Sequence, residues 1–374
     1  MKQGKSLVEL ATALEEIQKT AKDYVIPTEK IRMNETNQLV FQNGEGKEQK
    51  LDPTGYAHGQ IAGYAGVPKQ YYDKLLIENP ALLTKNVNHG LDGQSKELGR
   101  GGRPENRMIR TVGGKVRAML SASYRRLDSY DLANTVLPVL LQHKFQVVSA
   151  EITETRFYLK ALTPKVTAEV KPGDLVQFGL MISNSDVGAG TFRVEPLVYR
   201  LVCANGMICD TAIKKFHLGK NLAGDDVQEL LSQKTLQMTD AAFFAQVKDL
   251  VIASMEPQMF ESQVNRLREA AKQPIKNFDI PEVVELSMKA IGVDGENVKQ
   301  NIIQYLANGA DGAGLTKWGL ANGFTYAAQQ EDVSYDDSIH LERAGAKIID
   351  LHPNQWKRIS DVDVHQVQKK SGKK

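Results

Sequence analysis

Apolar residues at Leu7, Leu10, Leu14, Ile17 and Ala21 recur at helical spacing with charged residues on the opposite face, which predicts an N-terminal helix from Ser6 to Tyr24. Short alternating runs follow. Ile31 to Met33 and Leu39 to Phe41, separated by Asn34 and Asn37, predict a small hairpin or two edge strands. Thr54 opens a glycine-broken helix in which Gly55, Gly59, Gly63 and Gly66 share one face, where another element is expected to approach closely. Two short helices come next, with Pro68 suited to the first turn of one and Pro80 to the restart of the other. From Gln94 to Arg107 the pattern stops. This stretch is rich in Gly and Arg, and it reads as a mobile loop.

Strands are predicted at Met108 to Val112 and Val116 to Ser121, turned at Gly113-Gly114, a pair that permits the positive φ of a tight hairpin. Asp128 or Ser129 can cap a helix to about Gln142, with Leu132, Val136, Val139 and Leu140 as its core face. Beyond Lys144 the period becomes two, with strands near 146–162, 175–183 and 191–204 and a hairpin turn at Asn205-Gly206. Alternating polar residues on these strands point to one antiparallel sheet with a solvated face. After Asn221 the chain reads as helical. Asp226 and Glu229 form a candidate capping box, Thr239 a second cap, and helices are expected near 226–234, 240–255, 258–272, 281–291, 295–308, 315–330 and 334–350. A polar tail ending in Lys369, Lys370, Lys373 and Lys374 is expected to be disordered.

The predicted class is α+β, a central antiparallel sheet with flanking helices and a mostly helical C-terminal region. Its regions are 1–95 (helical with short strands), 96–220 (sheet core with a basic hairpin), 221–352 (helical) and 353–374 (tail).

At 374 residues the chain is long enough to bury a large core. Its 47 basic against 45 acidic residues exclude the composition of a histone-like packaging protein, so any nucleic-acid surface must be local. No apolar run suits a membrane span and the first residues lack a signal-peptide core, so a cytoplasmic location is expected. Cys203 and Cys209 have neither zinc-knuckle nor redox spacing and read as buried strand residues.

Motifs for catalysis are missing from the sequence. The seven histidines show no metal-binding spacing, and there is no nucleophile elbow, phosphate-binding loop or dinucleotide fingerprint. Val187-Gly188-Ala189-Gly190 reads as a turn. No catalytic residue, metal ligand or cofactor is expected. A pair among Glu151, Glu154, Asp174, Asp186, Glu195 and Asp210 could hold magnesium for phosphodiester cleavage, but a solvated strand face is the favoured reading, because a half-exposed antiparallel sheet requires alternating polar residues.

Between Lys96 and Arg126 lie nine basic residues against Glu97 and Glu105, so nine minus two gives +7 within a chain of net +2. Arg100, Arg103, Arg107, Arg110, Lys115, Arg117, Arg125 and Arg126 are candidate phosphate contacts, and Tyr124 is a candidate base-stacking surface. Arg107 and Lys115/Arg117 would lie on opposing arms of one hairpin as a basic ribbon. The competing reading pairs these arginines with the acidic stretch Glu331, Asp332, Asp336, Asp337 and Glu342.

The Tyr124-Arg125-Arg126 run, Ser183-Asn184-Ser185, Val202-Cys203-Ala204-Asn205-Gly206 and the segment Leu315 to Gln330 resemble the phage and plasmid proteins known as domain of unknown function 932. That resemblance implies a mobile element's DNA metabolism or its contest with the host, and it carries no catalytic residues. The order of basic hairpin, antiparallel sheet and a later helix with Lys317-Trp318 and Thr325 is loosely similar to Rad52-type single-strand annealing proteins. This implies a ring-forming homo-oligomer holding single-stranded DNA in a basic groove.

The expected function is therefore single-stranded DNA binding, with strand annealing as the reaction served. The alternatives are a metal-dependent enzyme acting on nucleic acid or nucleotides, and a non-enzymatic interaction protein that acts on a host defence system through the helical C-terminal half.

Overall fold

The computed structural model describes residues 1–92, 105–124, 127–209 and 233–361, with the backbone alone over 233–240. Helix α1 (Leu7–Thr20) starts at a capping box in which the Ser6 amide donates to Glu9 Oε2 at 2.8 Å and the Glu9 amide to Ser6 Oγ at 3.3 Å. It stops short of Tyr24. Lys22–Pro27 instead forms β1, an edge strand whose antiparallel partner, β5 (Asn106–Val112), lies far along the chain.

A small meander of β2 (Arg32–Met33), β3 (Leu39–Gln42) and β4 (Glu48–Leu51) follows. Helices α2 (Gly55–Ala65), α3 (Lys69–Glu78) and α4 (Pro80–Leu91) pack on it and on the sheet β1-β5-β6, where β6 is Lys115–Ser121. The expected close approach at Gly55, Gly59 and Gly63 is not found. A Cβ there would meet nothing nearer than Lys69 Cε at 3.5 Å. The tight crossing is at Gly90 of α4, where a Cβ would stand 2.6 Å from Ala65 Cα of α2. Backbone cannot yield as a flexible side chain can. Gly90→Ala is therefore expected to destabilise the protein by about 1–3 kcal/mol, read as a lower urea midpoint, whereas Gly63→Ala should be neutral or better.

The larger sheet is a five-stranded antiparallel meander in the order β11-β10-β9-β8-β7. Its strands are β7 (Gln146–Ile152), β8 (Phe157–Lys171), β9 (Asp174–Asn184), β10 (Arg193–Arg200) and β11 (Asn205–Ile208). Asn205-Gly206 is not the turn. It pairs with Arg200 and Tyr199 inside β11, and the reversal falls at residues 201–204, with Ala204 at φ 52°. Cys203 consequently sits in that turn, while Cys209 is buried.

One face of this sheet packs Phe157, Leu159, Phe178, Leu180 and Ile182 against α1, α5 (Ser129–Gln142), α6 (Gln233–Ala253) and α7 (Pro257–Ala271). The helical C-terminal region continues with α8 (Ile280–Ile291), α9 (Glu296–Ala307), α10 (Lys317–Ala327) and α11 (Tyr335–Ile349). Tyr335 and Ile339 of α11 cover the second face, against Tyr158, Leu162, Met181, Leu197 and Ile208. The expected solvated face is thus buried. The α+β class holds, with a central antiparallel sheet, flanking helices and a helical C-terminal region.

One helix was not anticipated. Pro353 begins α12 (Pro353–Ser360) after His352, whose Nδ1 accepts from the Asn354 amide at 3.3 Å, and Trp356 anchors it in the core. Thr239 does not start a helix, since α6 already runs from Gln233. The expected capping box at Asp226 and Glu229, the loop over 94–104 and the C-terminal tail lie outside the described residues.

Candidate nucleic-acid interface

Strands β5 and β6 form the expected hairpin, turned at Gly113 (φ 56°) and Gly114 (φ 76°). Arg107 pairs with Ser121 at one end, and Lys115 with Val112 at the other, about 17 Å away at 3.4 Å per residue. Arg110 opposes Ala118 and Thr111 opposes Val116, so Arg117 is the extra residue of a bulge.

Side-chain alternation then separates the arginines. Arg107 shares its face with Ile109 and Met119, toward α2, whereas Arg110 shares the opposite face with Met108 and Leu120. Arg107 pairs with Glu105, and its guanidinium lies 4.6 Å from the centre of the Tyr64 ring. Arg110 is 1% exposed, pairs with Asp128 and donates to the Asp186 carbonyl at 3.3 Å, with Asp23 3.9 Å from its Nε. Burial works against the Arg110 charge, yet Asp128, Asp186 and Asp23 outweigh it and raise its pKa. Arg117 donates to the Glu154 carbonyl in the turn between β7 and β8.

Tyr124 is no open stacking platform. It packs against the cluster of Met108, Ala118, Leu120 and Val187, its hydroxyl reaches the Ser185 carbonyl at 3.3 Å, and burial with Asp186 nearby pushes its pKa up to about 12. Lys115 is exposed at the hairpin tip. Arg100, Arg103, Arg125 and Arg126 lie outside the described residues.

Among the described residues the single basic strip is not assembled: Arg107 and Arg110 lie on opposite faces of the hairpin, and Arg107, Arg110 and Arg117 each have a partner within the protein. Nor do they pair with the acidic stretch from Glu331 to Glu342. Asp128 explains a further detail, because its carboxylate serves Arg110 and makes no side-chain cap on α5.

The Ser183-Asn184-Ser185 motif belongs to the same junction. Asn184 Nδ2 donates to the Leu127 carbonyl at 2.8 Å and Ser185 Oγ to the Thr155 carbonyl at 2.7 Å. Gln60 of α2 donates to the Val187 carbonyl at 3.1 Å and accepts from the Met119 amide at 2.8 Å. These residues clamp the hairpin onto the five-stranded sheet. Residues 187–190 form the turn expected of them, with Gly188 at φ 81°.

The sheet carboxylates do not converge. Glu151 pairs with Lys5, Asp174 with Arg200 and Glu195 with Arg343, while Glu154 accepts from the Tyr56 amide at 2.6 Å. Asp174, Asp186 and Glu195 are buried, not the solvated groups expected, and Asp210 lies outside the described residues. Among the described residues no group of three or more His, Cys, Asp or Glu is placed to hold a metal ion. An open groove of about 650 Å³ runs along α7, lined by Gln258, Glu261, Asn265, Arg266 and Glu269.

Comparison of the chain with protein-family models, with curated proteins and with solved structures found no match. No described helix is long and apolar enough to cross a membrane.

Proposed function

We propose that this chain binds single-stranded DNA in the cytoplasm on behalf of a phage or plasmid, as an oligomer that promotes strand annealing in recombination. One observation carries the reading. Arg107 and Ser121 are paired neighbours, so the chain enters β5 and leaves β6 at the same end of the hairpin. Lys96, Arg100 and Arg103 precede that entrance in sequence, and Arg125 and Arg126 follow that exit. Five basic residues thereby flank one end of the hairpin in the sequence, and the described arginines of the hairpin itself have internal partners.

Annealing calls for phosphate neutralisation and base exposure, with no nucleophile or cofactor. Five phosphate contacts at roughly 0.7 each give an expected slope of about −3.5 for log affinity against log salt on a single strand. Fluorescence anisotropy of a labelled oligonucleotide measures it. A slope near zero, or no binding at low salt, would count against the proposal. Mass photometry with and without the oligonucleotide reads assembly in the same samples.

The groove along α7 favours one other reading, a host protein bound by the helical region. Charge reversal at Glu261 and Glu269 that abolishes capture of a host protein while leaving oligonucleotide binding intact would favour it over the first.

A further inference from the structure

Tyr158, Ser183 and Arg193 form one cross-strand row on β8, β9 and β10, on the sheet face that α11 covers. Ser183 is 0% exposed, and neither its hydroxyl nor the buried Nε of Arg193 has a hydrogen-bond partner among the described residues. The Cα atoms of opposed residues of this kind are about 5 Å apart, so the two unmatched groups belong to one cross-strand pair on one face. Native structures rarely leave such groups unmatched without a bound water or ion.

Charge decides between water and ion. Arg156, just before β8, donates to the Ala189 carbonyl and brings its charge near the Tyr158 hydroxyl, and Arg343 reaches in from α11 to Glu195. Against these three arginines stand Glu195 and Asp336. Glu195 is held by Arg343 at 3.1 and 2.5 Å, which leaves Arg193 at 3.7 Å from it, too far for a hydrogen bond. Asp336 accepts from Thr153 at 3.3 Å. A water molecule would satisfy the Ser183 hydroxyl but leave the surplus positive charge in place. An oxyanion meets both needs. With 32% of its side chain exposed, Arg193 opens the row to solvent.

We infer that Ser183 and Arg193, flanked by Arg156 and Arg343, form a binding site for a tetrahedral oxyanion of the phosphate class. The site is separate from the β5–β6 hairpin and does not depend on the proposed function. Ser183 and the Arg193 guanidinium donate to the phosphate oxygens, and Arg343 keeps Glu195 from closing on Arg193.

Calorimetric titration of the full chain with inorganic phosphate, at ionic strength fixed with sodium chloride, tests this. Saturable binding is expected, weakened about tenfold by either Arg193→Gln or Ser183→Ala, the loss of one charge-assisted hydrogen bond. Ser183→Ala removes a single buried oxygen, so it keeps the test valid if Arg193→Gln folds poorly. Phosphate binding lost in the variants identifies free phosphate as the ligand. If inorganic phosphate does not bind but oligonucleotide affinity falls tenfold in both variants, the ligand is a phosphodiester. Insensitivity of both ligands to both variants overturns the inference. Failure of oligonucleotide binding alone would remove the proposed function and leave the phosphate arm standing.

Discussion

Replacing Glu342 with alanine is expected to cost about 3–5 kcal/mol of stability, because it strands a lysine charge with no route to water. Lys160 and Glu342 both have side-chain exposures of 0%, and Lys160 Nζ lies 2.6 and 2.7 Å from the two carboxylate oxygens. Burial lowers the Lys160 pKa, with Glu342 as the main opposing influence. The ammonium also stands 5.4 Å from the centre of the Tyr335 ring, and the Tyr335 and Ser149 hydroxyls are 2.7 Å apart. The variant's urea midpoint should drop sharply. Replacing both partners, Lys160→Met with Glu342→Leu, removes both desolvation costs and should recover most of the loss. A single variant within about 1 kcal/mol of the wild type would contradict the burial described for this pair.

Asp174→Ala should produce a loss of similar size, about 3–5 kcal/mol, with a spectroscopic signature. Arg200 makes two contacts to Asp174, at 2.6 and 3.0 Å, and Trp318 Nε1 donates to the same carboxylate at 2.9 Å. Arg200 also donates to the Tyr305 hydroxyl at 3.0 Å and to the Asp311 carbonyl at 2.9 Å. Truncation leaves a buried guanidinium without its counter-charge and an indole N–H without an acceptor. Asp174→Asn keeps an oxygen for Trp318 and should be milder. Trp318 is 1% exposed and one of only two tryptophans, so loosening should red-shift fluorescence in Asp174→Ala. An unshifted spectrum with an unchanged midpoint would show that this carboxylate does not hold α9 and α10 to the sheet.

These two buried pairs show where the sequence was readable and where it was not. Local signals succeeded: the apolar stripe of α1, the Gly113-Gly114 turn and the helix expected near 334–350 all rest on residues close together in the chain. Strand β1 was missed because its partner lies more than 80 residues away, and the register of β11 because Ala204 takes the left-handed position that Asn205-Gly206 advertised. The carboxylates of the large sheet looked like a solvated face, since nothing local reveals that α11 covers it.

The candidate site divides along the same line. A dense basic stretch is a compositional fact, and the sequence shows it directly. Which arginines are committed is a tertiary fact: Arg110 finds Asp128 and the Asp186 carbonyl at separations of 18 and 76 residues. Arg193 carried no sequence signal and the Ser183-Asn184-Ser185 motif pointed to no anion site, because only strand register sets Arg193 beside Ser183.

The most direct test of the interface pairs two variants in one anisotropy experiment. Combined Arg100→Glu, Arg103→Glu, Arg125→Glu and Arg126→Glu should cut the salt slope by about 3 units, four contacts at roughly 0.7 each, without lowering the melting temperature. Arg117→Gln, which loses its hold on the Glu154 carbonyl, should lower the melting temperature while the slope stays as in the wild type. The opposite pattern, with the slope set by Arg117 and indifferent to the other four, would contradict the assignment of the hairpin arginines to structure and the flanking ones to DNA.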